Sequence, residues 1–329
     1  MAHIRADMES LPDTTSGSVS SATGRQRGLL DKASFKLCVG LSLLIVLIAW
    51  FDVRAILTKL LSIDVGFLFL ALGIFVLQFF LSCVRWMVIL DRQSSAITPR
   101  TALSIFGFGT LANLFLVTSL AGISVRAALL LRAGSSVPGA LASLTAERIA
   151  ATAGLGLCGL AGMVFALPEL KQLVGEWFDP QTASLILLGM ALAALALLLV
   201  MGRARRTRNF MKTVWAAFAT PGQAIQMIGA SAAIVLLGFA GMAMLAQGMA
   251  LSIDLMFFLA VMPAVALISA LPISIGGWGV REGAMVAGLS IYAVPPDAAV
   301  ALSISYGLGG LLVALLLGAS LALLGQSRS

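Results

Sequence analysis

Residues 271–284 read LPISIGGWGVREGA, a proline, three glycines, an arginine and a glutamate inside an otherwise apolar stretch. Pro272 cannot donate a backbone hydrogen bond and turns the residue before it away from helix. Gly276, Gly277 and Gly279 permit backbone paths and close approaches that side chains block. A fresh helix is expected to start near Val280 or Arg281. Its first N–H groups would face the break, where an anion is well held. Arg281 would add a planar charged fork to that place. Together these groups suit a phosphate or a lipid phosphodiester. Glu282 has two roles open to it: neutralising Arg281, or receiving a cationic part of a substrate. A bare Arg–Glu pair in a tight turn would explain the charges but not the glycines around them.

A second set of residues echoes the first. Residues 119–126, SLAGISVR, and 274–281, SIGGWGVR, share a pattern of serine, apolar, small, glycine, any residue, small, valine, arginine. Downstream, VPGALA at 137–142 resembles VPPDAAVA at 294–301, with a two-residue difference in length. The order of the matches suggests a duplicated unit, 66–168 and 223–325; chance similarity in a restricted alphabet is the alternative. Gly122, Ser124 and Arg126 fall in the matching places, with no acid after the arginine and no proline before it. Asn113 precedes them, where its amide would cap a broken helix, bind a ligand or simply pack. Glu147 and Arg148 lie inside the apolar run LASLTAERIAATAG, where ionisable groups are costly unless paired or facing a cavity. Neighbours in sequence do not face each other on a helix. Glu147 is therefore expected to find Arg126 or Arg281, and Arg148 to snorkel at an interface. Arg85 and Trp86, near the end of an apolar run, read as interfacial anchors.

These residues need a frame to hold them, and composition says what kind. Of 329 residues, 60% are hydrophobic and only 11% charged, against about 25% charged in soluble domains. Apolar runs fall at 35–51, 66–90, 102–121, 137–168, 183–202, 223–248, 255–271 and 299–325. The expected fold is an all-α polytopic membrane protein of six to eight transmembrane helices. Residues 1–33 read as a disordered cytoplasmic tail, 34–325 as the transmembrane domain and 326–329 as a C-terminal tail. The basic loop RARRTRNFMK at 203–212 belongs on the cytoplasmic side, and so does the N-terminus, with Arg25, Arg27, Lys32 and Lys36 against Asp31. Parity then favours six full spans plus re-entrant hairpins at 102–131 and 255–292, in inverted orientation. Eight full spans with one loop violating the charge rule is the alternative. Residues 169–182 read as an outside loop and 203–221 as a basic amphipathic linker on anionic lipid. Gly154, Gly156, Gly159 and Gly162 read as a helix-packing stripe.

Some functions are excluded early. The single histidine, His3, lies in the tail, so histidine catalysis and histidine metal ligation have no place in the membrane body. Cys38, Cys83 and Cys158 form neither a ligand set nor a disulfide framework. No cofactor or metal is expected. The net charge of +7 resides in loops and tails, which points to anionic lipid rather than nucleic acid.

The motif Pro272, Ser274, Gly276, Gly277, Gly279, Arg281, Glu282 resembles the late signature of the flippase-like integral membrane family that includes the transmembrane part of lysylphosphatidylglycerol synthase. Asn113, Gly122 and Arg126 are similar to the family's early motif, although its turn proline is replaced around Val117–Ser119. Glu147 and Arg148 match a charged pair in the following helix. The resemblance covers roughly 35–325. It implies translocation of a polar or anionic lipid between leaflets of a bacterial inner membrane, the lipid being a phospholipid, glycolipid or hopanoid type. Asn113, Gly122, Arg126, Glu147, Arg148, Gly276, Gly277, Gly279, Arg281 and Glu282 are then the expected substrate-binding residues. The synthase's aminoacyl-transferase domain is expected to be absent, which argues against an enzyme. A lipid-modifying membrane enzyme, or a non-transporting partner of a lipid-biosynthetic enzyme, are the other readings. Oligomeric state is open.

Overall fold

The computed structural model describes residues 53–93, 95, 97–115, 121–174, 205–251, 253, 255–269, 279–290 and 292–326. All secondary structure among the described residues is helical. In chain order the helices are α1 (Val53–Leu61), α2 (Val65–Arg92), α3 (Pro99–Phe115), α4 (Ala121–Arg132), α5 (Val137–Val174), α6 (Arg205–Ala216), α7 (Pro221–Gly248), α8 (Leu255–Ser269), α9 (Val280–Ser290) and α10 (Pro296–Gln326). The fold is an all-α polytopic membrane protein. The apolar runs at 35–51 and 183–202, the tail, and residues 116–120 and 270–278 lie outside the described residues.

Local chemistry sets where the helices start. Asp64 opens α2, its carboxylate accepting from Gly66 N at 2.9 Å and Phe67 N at 3.2 Å. Thr220 and Gln223 form a reciprocal capping box at the start of α7, with Pro221 in its first turn, so two orphan N–H groups are satisfied there. The most apolar 18 residues of α2, α7 and α10 have mean hydropathies of 2.5, 2.1 and 2.2, within helical runs of 28 residues. At 1.5 Å per residue each is about 42 Å long, enough to cross a hydrocarbon core of about 30 Å with tilt. Only 17% of the α2 stretch is buried inside the protein, so its other faces must meet lipid. Phe69, Leu77 and Phe80 point outwards from it.

The short helices come in two packed pairs, α3 with α4 and α8 with α9. With 17, 12, 15 and 11 residues, each is about 16–26 Å long, short of a full hydrocarbon crossing. α10 lies along α3, where Ser104 Oγ donates to Ala322 O at 3.2 Å. One apolar core joins α2, α7, α8, α9 and α10. A second, around Trp86, Phe106 and Leu130, joins α2, α3 and α4.

Two sequence expectations change. Residues 169–174 are not loop but continue α5 to Val174; the stretch ELKQLV consists of good helix formers, apart from the final valine, and extends the helix beyond its apolar part. The stretch expected as a linker is, after residue 204, helix α6 followed by a turn, and it docks on the bundle. Val214 and Ala217 are buried against Ile89 and Ala146. Arg92 Nη1 donates to Ala217 O at 3.0 Å and Gln223 O at 3.2 Å, and Gln93 Nε2 to Thr213 O at 3.1 Å.

The glycine stripe of α5 divides by role. A Cβ on Gly154 would overlap the backbone of Ser231 and Ala232 on α7, and one on Gly162 the backbone of Leu259 and Ala260 on α8. Gly156 faces open space. Gly154→Val and Gly162→Val are each expected to cost about 1–3 kcal/mol through forced backbone shifts, and Gly156→Val far less. Thermal unfolding of the purified protein in detergent checks this ordering.

Candidate functional site

Arg85 on α2, Arg126 on α4 and Glu147 on α5 converge inside the bundle. Arg126 Nη2 lies 2.7 Å from Glu147 Oε2, off the direction of its N–H bonds, so the contact is an ion pair more than a directed hydrogen bond. Arg85 Nη2 lies 3.7 Å from Glu147 Oε1. Arg85 Nη1 also donates to Ser231 Oγ of α7 at 2.8 Å, while that hydroxyl donates to Met227 O at 2.7 Å. The serine proton is thereby spent on its own helix, and its lone pairs face the arginine. The Arg126 guanidinium stands 4.0 Å from the ring centre of Trp86 and 5.1 Å from that of Phe106, within reach of cation–π attraction. Arg85 and Arg126 are each 7% exposed, Glu147 9% and Trp86 0%. Room for the Arg126 stem comes from Gly109 on α3, where a Cβ would collide with it.

Asn113 holds the entrance to α4. Its Oδ1 accepts from Gly122 N at 2.8 Å, and a Cβ on Gly122 would fall on its amide group. Of the roles open to Asn113 in the sequence, capping a broken helix is the one its oxygen performs.

The second cluster sits where α9 begins. Gly279, with φ of +84°, takes a conformation that side chains disfavour and turns the chain into the helix. Its N–H donates to Glu282 Oε2, the return arm of a capping box. The other oxygen of Glu282, Oε1, accepts from Arg281 Nη2 at 2.8 Å and from Ser303 Oγ at 2.9 Å, and lies 3.2 Å from Arg281 Nε. Arg281 Nε also donates to Ser303 Oγ on α10 at 2.9 Å. Gly307 leaves the space for the guanidinium, which a Cβ there would meet. The anion seat expected at this helix start therefore receives the chain's own carboxylate, Glu282, which is 1% exposed. Of its two open roles, Glu282 neutralises Arg281.

An open cavity of about 220 Å³ lies where α2, α3 and α10 meet, walled by Phe75, Phe79, Phe106, Gln78, Ser82 and Thr110. Phe106 connects it to Arg126. On the other side the Phe75 ring packs edge-on against Tyr306 at 5.4 Å, on the same helix as Ser303 and Gly307.

A family model for the lysylphosphatidylglycerol synthase TM region matches residues 37–318. The chain belongs to that family. Membership makes it a membrane protein related to lipid metabolism. Among curated proteins, none matches the chain.

Of the residues singled out in the sequence, the family's fold brings Arg126 to Glu147 and Arg281 to Glu282, in two clusters that share no carboxylate. Glu147 thus selects Arg126 over Arg281. Arg148 is exposed and not part of either cluster, as the helical offset from Glu147 dictates. Gly276 and Gly277 lie outside the described residues. Arg85 and Trp86 overturn their reading as interfacial anchors, because both are buried beside Glu147. Arg85 stands seven residues inside the end of α2, about 10 Å along the axis, too deep for a simple anchor, a depth set by a helix end that lies beyond the apolar run 66–90. Ser231 and Ser303 gave no signal, being single hydroxyls in apolar helices.

Glu147→Gln leaves two buried guanidinium groups without a counter-charge and is expected to cost about 3–5 kcal/mol. Arg148→Gln, at an exposed site, is expected to stay within about 0.5 kcal/mol of the parent. Thermal midpoints and the yield of monodisperse protein in detergent compare the two.

Proposed function

We propose that this protein translocates a polar or anionic membrane lipid between leaflets, with the headgroup moving through the bundle and the acyl chains remaining in the bilayer. The carrying observation is the open cavity one aromatic ring away from Arg126, with the Phe75–Tyr306 pair on its other side. Family membership supports a lipid as the substrate. The lipid class is a phospholipid, glycolipid or hopanoid type, and the setting a bacterial inner membrane with the N-terminus cytoplasmic, as the basic segments suggest.

The arrangement is what two inverted halves would produce. Each motif arginine lies on a short helix and reaches a polar side chain on the long helix that follows, Glu147 for Arg126 and Ser303 for Arg281. Sites built from broken helices in paired repeats recur among transporters. A membrane enzyme is less well supported, because the two carboxylates buried among the described residues are committed to arginines, and Glu282 to a helix cap as well.

The purified protein in phosphatidylcholine vesicles carrying fluorescent lipids of several headgroups is expected to speed their exchange between leaflets. Exchange no faster than in empty vesicles, for every headgroup, would overturn the reading. Gly310 lies on the cavity rim, exposed and with open space beside it. Gly310→Phe is expected to slow exchange by about tenfold or more, as a step blocked by roughly 1.4 kcal/mol would, with an unchanged thermal midpoint. Gly156→Phe, on an outer face, serves as the control and is expected to leave exchange intact.

A further inference from the structure

The two clusters differ in charge. In the second, Glu282 balances Arg281 and both carboxylate oxygens are taken. In the first, two arginines face one carboxylate among the described residues, leaving one positive charge over. The first cluster also holds unused donors. Arg85 Nε, Arg126 Nε and the Trp86 indole N–H are buried and have no hydrogen-bond partner among the described residues. Buried donors without partners are rare and cost free energy, more so when charged. A water molecule would satisfy a donor and leave the charge. An oxyanion with one negative charge would satisfy both.

We propose that Arg85, Arg126 and Trp86 form a recognition site for a singly charged oxyanion, the phosphodiester of a lipid headgroup, and that the spare positive charge selects such lipids over zwitterionic ones. The choice of a lipid as carrier of the anion rests on the translocation reading; a free phosphate monoanion offers the same chemistry. Arg85 and Arg126 approach from different helices, α2 and α4, and Glu147 between them holds their separation without cancelling both. Ser231 fixes the Arg85 fork from a third side. Phe106 places the cluster next to the cavity, so a headgroup held here has the rest of its lipid within reach of that space.

The full chain in nanodiscs of phosphatidylcholine with a minority of phosphatidylglycerol is released into native mass spectrometry and the retained lipid identified. Phosphatidylglycerol is expected to be enriched roughly tenfold over its share of the bilayer, as one charge-assisted hydrogen bond provides. Arg85→Gln makes the cluster neutral and is expected to abolish the enrichment. Trp86→Phe keeps an aromatic ring under Arg126, removes the N–H together with the five-membered ring that carries it, and is expected to reduce enrichment to a few-fold; it carries the test if Arg85→Gln does not fold. No enrichment in the parent, or enrichment equal in parent and variants, would overturn the proposal. A second arm adds inorganic phosphate to discs of phosphatidylcholine alone. Phosphate retained in the parent and lost in Arg85→Gln, with phosphatidylglycerol not enriched, would overturn the assignment to lipid. Leaflet exchange is measured on the same preparations in vesicles. Enrichment without exchange sinks translocation and keeps the site, whereas equal exchange of both lipids without enrichment sinks the site and keeps translocation.

Discussion

The carboxylate of Glu147, shared by Arg85 and Arg126, is the constraint on which the first half of the bundle depends. An isolated ion in an apolar interior is costly, and its cost falls only when a counter-charge is held close. Three helices supply the three charges, so α2, α4 and α5 can reach that balance only in one mutual arrangement. Ser231 extends the constraint to α7 through the Arg85 fork. Apolar packing alone is weakly specific in lipid, because lipid tails are as apolar as the side chains they would replace. The charged cluster gives this part of the fold a register that the leucines and alanines around it do not.

The second cluster solves a different problem with the same residue types. A helix that begins inside protein leaves its first N–H groups without partners. Glu282 bends back to the Gly279 N–H and meets Arg281 with its other oxygen, so cap and ion pair come from one side chain. Consecutive residues on a helix ordinarily diverge, as Glu147 and Arg148 do. Arg281 and Glu282 converge because they stand in the first turn, where the glutamate folds towards the helix start. Ser303 receives the guanidinium and donates to the carboxylate at once, tying α9 to α10. The same sequence pattern, glycine then valine then arginine, thus ends in one cluster with charge to spare and another that is balanced.

Much of this was legible in the residues. Pro272 and its glycines announced a broken helix, and α9 starts at Val280 as the pattern implied. Glu147, alone in an apolar run, announced a buried partner, and Arg126 was one of the two named. Legibility ended where the answer depends on which helices touch. Arg85 looked like an anchor because distance from the end of an apolar run is a poor guide to burial when the run continues as helix to Arg92. Ser231 and Ser303 were invisible because one hydroxyl has the same meaning in sequence whether it bonds to its own turn or to a neighbour's guanidinium. The anion seat at the start of α9 was legible, but its occupant was not; a glutamate three places after the cap was read for its charge rather than its reach. The basic segment after residue 204 advertised charge to lipid, while its buried face, Val214 with Ala217, carried the docking contact.

The cavity and the first cluster divide the chemistry of an amphiphile between them. Ser82 Oγ donates to Gln78 O at 2.8 Å and Thr110 Oγ1 to Phe106 O at 2.9 Å, while the Gln78 amide donates to Ile234 O at 2.9 Å. The hydroxyl protons are spent within their own helices, and the amide reaches α7. What these walls have left to offer is chiefly acceptor oxygen, set among the rings of Phe75, Phe79 and Phe106. Acceptors repel a phosphate and suit hydroxyl and ammonium donors, while the rings suit apolar chain. The unused donors are gathered instead at Arg85, Arg126 and Trp86, behind the Phe106 ring. A phosphodiester lipid placed with its anion on the arginines and its remaining groups towards the cavity meets matching chemistry at both ends, and the reversed placement meets it at neither. The lipid placement we propose would run along the line from Trp86 to Phe75, because the helices have already consumed the hydroxyl protons on the Phe75 side.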